Sequence, residues 1–200
     1  MTLAHPTRRA ALRGLAGACL GLGALALASP VAAAAALPAK SIYHLDVGLV
    51  DQDGHAFKLA DLRGGPVIAG MFYSSCEMVC PMIFETIKQT LREAGPRVHD
   101  ATRVLMVSFD PARDTQAVLK EAFASHGLDA RWTLARGTDD AVRQVAAVLG
   151  IQYRRLAGGA FNHSSVIELL DADDAIAART SKLGEVDAGF LHALKGAVPA

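Results

Sequence analysis

The stretch "PVIAGMFYSSCEMVCPMIFETIKQTLREAG", residues 66–95, predicts a buried strand, a loop with two cysteines, and a helix. Residues 66–73 are apolar almost throughout and do not alternate with polar residues. This pattern is typical of a strand that is buried on both faces of its sheet. Residues 81–95 repeat apolar side chains at helical spacing and end in glycine, which indicates a helix packed on that sheet. A buried strand that leads directly into a helix is characteristic of an α/β fold.

Strand and helix patterns alternate along the rest of the chain in the same way. The predicted elements are a hairpin over 45–62, a strand over 103–109, a helix over 115–127, a strand over 131–137, a helix over 139–150, a hairpin over 163–180 and a helix over 185–196. We therefore expect an α/β protein with a central mixed sheet flanked by helices. One β-hairpin lies near the N-terminus of this domain and another lies near its C-terminus.

Residues 1–36 have the pattern of a secretory signal peptide. Three arginines precede a long uncharged run, and small residues form an A-x-A cleavage site near Ala34 or Ala36. The segment "TRRAAL" resembles a twin-arginine export signal, although Ala11 stands where a bulky apolar residue is usual. An ordinary Sec signal and an uncleaved membrane anchor are the alternatives.

The remaining residues, 37–200, have the length of one domain with a substantial core. The chain has 20 basic and 20 acidic residues, and loss of the three signal arginines leaves 17 basic against 20 acidic. This balance argues against nucleic acid as a partner, because nucleic-acid binding usually requires a basic face. Cys19 leaves with the signal, so the exported domain keeps Cys76 and Cys80.

Cys76 and Cys80 lie between the predicted strand and helix, and three interpretations remain open from their spacing. A structural disulfide would close a short loop and would therefore add little stability. A redox couple usually has two intervening residues, whereas this pair has three. As metal ligands, two thiolates with an imidazole select copper(I) or zinc. Pro81 suits the first position of the helix, which places Cys80 at its cap, where the helix dipole favours thiolate.

A third ligand for a metal would come from a histidine. His163 lies between a glycine-bearing loop and an apolar strand, where a flexible segment can bring its imidazole to the cysteines. Surface positions account for the other histidines of the domain, which are His44, His55, His99, His126 and His192.

Three segments in this order resemble the Sco/SenC family of copper chaperones, which have a thioredoxin-like fold. "FYSSCEMVCPMIFETI" resembles the family's C-x-x-x-C-P motif, "VSFDPARDTQAVLKEAF" its S-x-D-P-x-R-D-T segment, and "NHSSVIELLDADD" its histidine-bearing hairpin. The resemblance implies that Cys76, Cys80 and His163 are copper ligands. It also implies that Asp110 is an acidic residue that assists the site, while a helix or turn cap is the structural alternative for Asp110.

Residues beside the implied ligands depart from the family pattern. Glu77 stands where many members have proline, and Asn162 stands where many have aspartate, which affects loop stiffness and the hydrogen bond that orients the imidazole. Met78 and Met82 flank the motif and are candidate thioether donors to copper, whereas the helical spacing of Met82 predicts a place in the core.

The function that the resemblance implies is that of a periplasmic copper-binding metallochaperone, a carrier rather than an enzyme. It would hold Cu(I) or Cu(II) and help to assemble the copper centre of a respiratory cytochrome oxidase. The implied partner is a copper-receiving oxidase subunit or another copper carrier. The protein would contact the membrane only through a recipient or through an uncleaved N-terminal segment.

Other functions use the same cysteines. The alternative is a thiol-disulfide oxidoreductase in which Cys76 and Cys80 reduce the cysteines of a copper-site partner. A peroxidase with a reactive Cys76 ranks below both, because the threonine and arginine arrangement of that class is not evident. Zinc is chemically acceptable to the ligands, and the family resemblance favours copper.

Overall fold

A seven-stranded mixed sheet lies at the centre of the computed structural model, which describes residues 41–172 and 175–199. The predicted signal peptide, residues 1–36, lies outside the described residues. The strands of the described chain are β1 (Leu49–Asp51), β2 (Ala56–Phe57), β3 (Val67–Phe72), β4 (Arg103–Ser108), β5 (Trp132–Arg136), β6 (Tyr153–Arg155), β7 (Phe161–His163), β8 (Ile167–Leu170) and β9 (Ile176–Thr180). The strand order in the central sheet is β2-β1-β5-β4-β3-β8-β9.

The strand β3 runs through the middle of the core. It pairs in parallel with β4 and antiparallel with β8, and all six of its side chains are buried. The continuous apolar run of the sequence is explained by this position, since both faces of the strand are covered. The parallel strands β3, β4 and β5 place their carboxyl ends at one edge of the sheet. The loops that follow β3 and β4 therefore start at the same edge.

Five helices belong to the described chain, together with short 3-10 turns at Ile42–His44 and Leu59–Leu62. The helices are α1 (Val79–Ala94), α2 (Pro96–Ala101), α3 (Gln116–Ser125), α4 (Asp139–Val148) and α5 (Ala188–Gly196). The predicted α/β class and both predicted hairpins, β1–β2 and β8–β9, are confirmed. Within the described residues, we find no helix with the length and apolar character that a membrane crossing requires.

The start of α1 differs from the prediction. The helix begins at Val79, so Cys80 lies inside its first turn rather than at its cap, and Pro81 occupies the third helical position. Proline is tolerated there because the backbone NH groups of the first turn have no partner within the helix. The free NH of Cys80 instead donates to the Cys76 sulfur, at 3.3 Å.

The placement of His163 also differs from the prediction. The sequence placed it at the start of the C-terminal hairpin, but that hairpin begins at Ile167. His163 instead ends β7, which pairs with β6 in a separate two-stranded ribbon where His163 lies opposite Tyr153. We call β6, β7 and their connecting turn the histidine ribbon. Each of its strands has three residues, which are too few for an alternating pattern to be recognised in the sequence.

Candidate metal centre

Cys76, Cys80 and His163 converge at the sheet edge where β3 ends. Their ligand atoms, two sulfurs and one imidazole nitrogen, all lie within 4.8 Å of one another. Both cysteines are free thiols. Cys80 is 2% exposed, while Cys76 and His163 are half-buried. One side of the group therefore faces the core and the other faces solvent.

The loop between β3 and α1 is held by a buried carboxylate, Asp114. The Ser74 backbone NH donates to this carboxylate at 3.1 Å, and the Ser74 hydroxyl donates to it as well. The Ser108 hydroxyl, at the end of β4, donates to the same group. No local pattern in the sequence marks Asp114 as a link to this loop. In the structure it fastens the cysteine loop to the neighbouring strand, and Thr115 caps α3.

The two thiols differ in acidity. Burial acts to raise the pKa of Cys76, but hydrogen bonds from the Cys80 backbone, the Cys80 side chain and the backbone of Met78 and Val79 outweigh it and lower the pKa. Burial dominates at Cys80 and raises its pKa well above the ordinary value, and the neighbouring Cys76 adds to the effect. Cys76 therefore ionises before Cys80.

Aromatic rings surround the imidazole of His163. The Phe109 ring centroid lies 4.9 Å from that of His163, and the Tyr73 ring meets the imidazole edge to face at 6.1 Å. The imidazole Nδ1 lies 3.3 Å from the Ser164 carbonyl oxygen. Burial, followed by the nearby Cys76 thiol, raises the pKa of Tyr73. Tyr73 is thus a packing residue beneath the site and also a neighbour of two ligands, His163 and Cys76.

Asp110, the predicted acidic residue of the site, lies outside the three-ligand group. Its buried carboxylate binds the guanidinium groups of Arg113 and Arg155, with 2.5 Å to the latter. Arg113 also donates to the Gly159 carbonyl, and the Arg155 guanidinium lies 4.7 Å from the centre of the Phe161 ring. The Asp110 side chain does not act as a cap. It connects the end of β4 to the histidine ribbon.

The donor set suits a single soft ion. Metal–sulfur bonds of about 2.3 Å and metal–nitrogen bonds of about 2.0 Å allow donors of one ion to lie up to roughly 4.6 Å apart. The observed spread of 4.8 Å is within a few tenths of an ångström of that limit. Two sulfur donors and one imidazole are the ligands that Cu(I), Cu(II) and Zn²⁺ accept, whereas hard cations prefer oxygen.

The other described histidines lie outside this group. His44, His55 and His192 are exposed, as the sequence predicted. His126 is half-buried, and its ring stacks on Phe84 with centroids 4.2 Å apart, so the predicted solvated position is wrong. His126 lies at the C-terminal end of α3, where the ring of Phe84 from α1 offers an aromatic face for stacking.

Fold and site together define a thioredoxin-like α/β protein with a Cys–Cys–His group for a soft metal. The family model described as SCO1/SenC matches residues 38–194, and the chain belongs to this family. The SCO2-like protein of Rickettsia felis is 26% identical over 134 residues. That match covers 64% of this chain and 64% of the relative, so the chain spans less than two thirds of the relative's length.

Two solved structures share the fold. ScoI of Bradyrhizobium japonicum with copper bound has a TM-score of 0.62 and 24% identity, and the match covers 76% of this chain and 92% of ScoI. BsSco, a member of the Sco family of cytochrome c oxidase assembly proteins in which a disulfide switch was identified, has a TM-score of 0.62 and 19% identity. That match covers 76% of this chain and 90% of BsSco. At these identities the likeness establishes the fold.

Proposed function

We propose that this chain is a copper-binding metallochaperone that helps to assemble the copper centre of a respiratory cytochrome oxidase. The observation that carries the proposal is the convergence of Cys76, Cys80 and His163 within 4.8 Å. Membership of the SCO1/SenC family supports copper as the cargo, as does the copper-bound ScoI structure. The oxidase is supported by the description of BsSco as an assembly protein.

The three ligands suit a carrier because they serve both oxidation states of copper. Two thiolates satisfy Cu(I), and the imidazole of His163 makes the group acceptable to Cu(II). Cys76 and His163 are partly exposed, so the donors of a recipient can reach the ion and take it by ligand exchange. Cys80 is buried with a raised pKa, so metal binding displaces a proton from its sulfur. The proposed recipient is an oxidase subunit or another copper carrier.

The proposed place of action is the periplasm. Its support is the arginine-led, uncharged N-terminal segment of residues 1–36, which has the composition of an export signal. Residues 37–200 would then be the exported copper-binding domain. Contact with the membrane would come through the recipient or through an uncleaved N-terminal segment.

Copper binding to the reduced mature domain tests this function. The wild type should bind one equivalent of copper, and His163→Ala should weaken Cu(II) binding by about a hundredfold while Cu(I) binding falls far less. His192→Ala is the matched control, because His192 is an exposed histidine on α5. Absence of a tight copper equivalent in the wild type would contradict the proposal.

A thiol-disulfide reductase is the second candidate, favoured by the opposite pKa shifts of the two thiols. The Cys76 thiolate would attack one sulfur of a partner disulfide, form a mixed disulfide and release one partner thiolate. Cys80 would then lose its proton and attack the Cys76 sulfur. The products are a Cys76–Cys80 disulfide and a second partner thiolate. A reductase should keep its rate in His163→Ala, and a copper carrier should lose Cu(II).

A further inference from the structure

Two methionines beside the metal centre are unusually exposed. Met78 is 74% exposed and Met82 is 41% exposed, whereas Met71 and Met106 are 2% and 0% exposed in the core. The helical spacing of the sequence predicted Met82 in the core, and that prediction is wrong. The core face of α1 is formed by other positions of the helix, such as Ile83. The two exposed thioethers therefore contribute little to the core.

Met78 has no structural role as a helix cap either. It stands at the N-cap of α1, a position where serine, threonine, aspartate or asparagine normally accepts a backbone hydrogen bond. The Met78 side chain makes no such bond, and the Cys76 sulfur accepts from the Cys80 NH instead. A long apolar side chain that neither packs nor caps requires another explanation.

The two thioethers lie on either side of Cys80 in the sequence. Met78 and Met82 are four residues apart at the start of α1, and residues at this spacing are neighbours on a helix surface. Gly184 lies next to Met82, since a Cβ at Gly184 would be 3.7 Å from the Met82 methyl carbon. The methyl end of Met82 therefore lies beside Gly184, while 41% of the residue remains exposed.

Thioether chemistry matches the proposed cargo. The sulfur of methionine is a soft neutral donor that prefers Cu(I), and it binds without losing a proton. It is a weaker ligand than a thiolate, so an ion held there can pass on to Cys76 and Cys80. A weak site beside a strong one lowers the barrier to exchange, because the ion keeps soft donors throughout the transfer.

We propose that Met78 and Met82 form an exposed thioether site that receives Cu(I) at the rim of the Cys76–Cys80–His163 group. The inference rests on the proposed copper function. Bonds from Cu(I) to the two thioethers form as bonds to the donor carrier break. Bonds to the two cysteine sulfurs then replace them, and the thiol protons leave to solvent. Copper stays Cu(I) throughout, so no electron is transferred.

The competing explanation is an apolar surface that contacts a partner protein without binding metal. Substitution of methionine by leucine separates the two, because leucine retains the apolar volume and lacks the sulfur.

The first experiment observes the methionine methyl groups by NMR while Ag(I), a redox-inert substitute for Cu(I), is added. The protein carries Cys76→Ser, Cys80→Ser and His163→Ala, so the main ligands are absent. The signals of Met78 and Met82 should shift with a saturable dependence on Ag(I), while those of the buried Met71 and Met106 stay in place. Assignment uses Met78→Leu and Met82→Leu. Absence of a shift at the two exposed methionines overturns the proposal.

The second experiment measures Cu(I) uptake from a chromophoric chelator in protein with all three ligands intact. Met78→Leu/Met82→Leu should take up Cu(I) about tenfold more slowly, with an equilibrium affinity within about twofold of wild type. Ile176→Leu, at another exposed apolar position, is the matched control. An unchanged uptake rate in the double variant overturns the proposal. Wild-type protein that fails to bind Cu(I) at all contradicts the copper function instead, and the NMR experiment distinguishes the two failures.

Discussion

The Arg155 guanidinium lies 2.5 Å from the Asp110 carboxylate and thereby connects the histidine ribbon to the end of β4. Asp110 is buried, so this ion pair is shielded from solvent on one side. Arg113 binds the same carboxylate and donates to Gly159 in the turn of the ribbon. The position of the His163 imidazole therefore depends on contacts that are separate from the cysteine loop.

Arg155→Ala should weaken Cu(II) binding by about tenfold and leave Cu(I) binding nearly unchanged. The ribbon loses its link to Asp110, so the imidazole is held less firmly, while Cys76 and Cys80 remain fixed by α1 and its preceding loop. Competition with chelators of known affinity measures both constants. Arg154→Ala, at the exposed neighbouring position, is the control. Equal losses for the two oxidation states would contradict a role through His163.

Asp114→Ala should lower the free energy of unfolding by about 1.5–3 kcal/mol, the usual value for hydrogen bonds to a charged group. Ser74 and Ser108 lose their shared acceptor, and the cysteine loop is no longer tied to β4. Urea unfolding of the protein measures the change. Glu77→Gln removes an exposed carboxylate from the same loop and should have little effect. Similar stabilities for the two variants would show that Asp114 does not fasten the loop.

Alkylation of Cys76 by iodoacetamide should reach half its maximal rate below about pH 8.5, the ordinary pKa of a thiol. The lowered pKa means that the fold favours the Cys76 thiolate. Its contribution to stability is therefore present above the unfolded pKa and is lost as pH falls through the lower folded pKa. Mass spectrometry assigns the label to each cysteine. A Cys80 that reacts first would contradict the acidity order.

Stability should also fall as the solution is acidified below about pH 6.5, the ordinary pKa of histidine. Burial against Phe84, followed by the charge of Lys88, lowers the pKa of His126, so the unfolded chain binds the proton more readily than the fold does. The contribution is present above the unfolded pKa and is lost as pH falls through the folded pKa. Melting temperatures between pH 7.5 and pH 5 measure the loss. His126→Phe should reduce this dependence, and the exposed His192→Gln should leave it unchanged.

The sequence predicted the central elements well because each has a strong local pattern. The strand β3 is apolar throughout, and α1 repeats apolar residues at helical spacing before Gly95. The predicted α/β class and both hairpins followed from such patterns. The predicted start of α1 was wrong by two residues, because proline is tolerated at several positions of the first turn of a helix.

The contacts that hold the site could not be predicted from local sequence patterns. Arg155 and Asp110 are 45 residues apart, and Ser74 and Asp114 are 40 residues apart, so neither pair leaves a periodic signal. The histidine ribbon was missed for a related reason, since its three-residue strands are stabilised by aromatic packing such as that of Phe161 on Tyr73.

X-ray absorption spectroscopy of the copper-loaded protein tests the central claim most directly. Two sulfur donors and one nitrogen donor should surround copper, from Cys76, Cys80 and His163, and the nitrogen should disappear in His163→Ala. The His192→Ala spectrum should match the wild type. Copper bound by nitrogen and oxygen alone, or a spectrum unchanged by His163→Ala, would contradict the assignment of these three residues as its ligands.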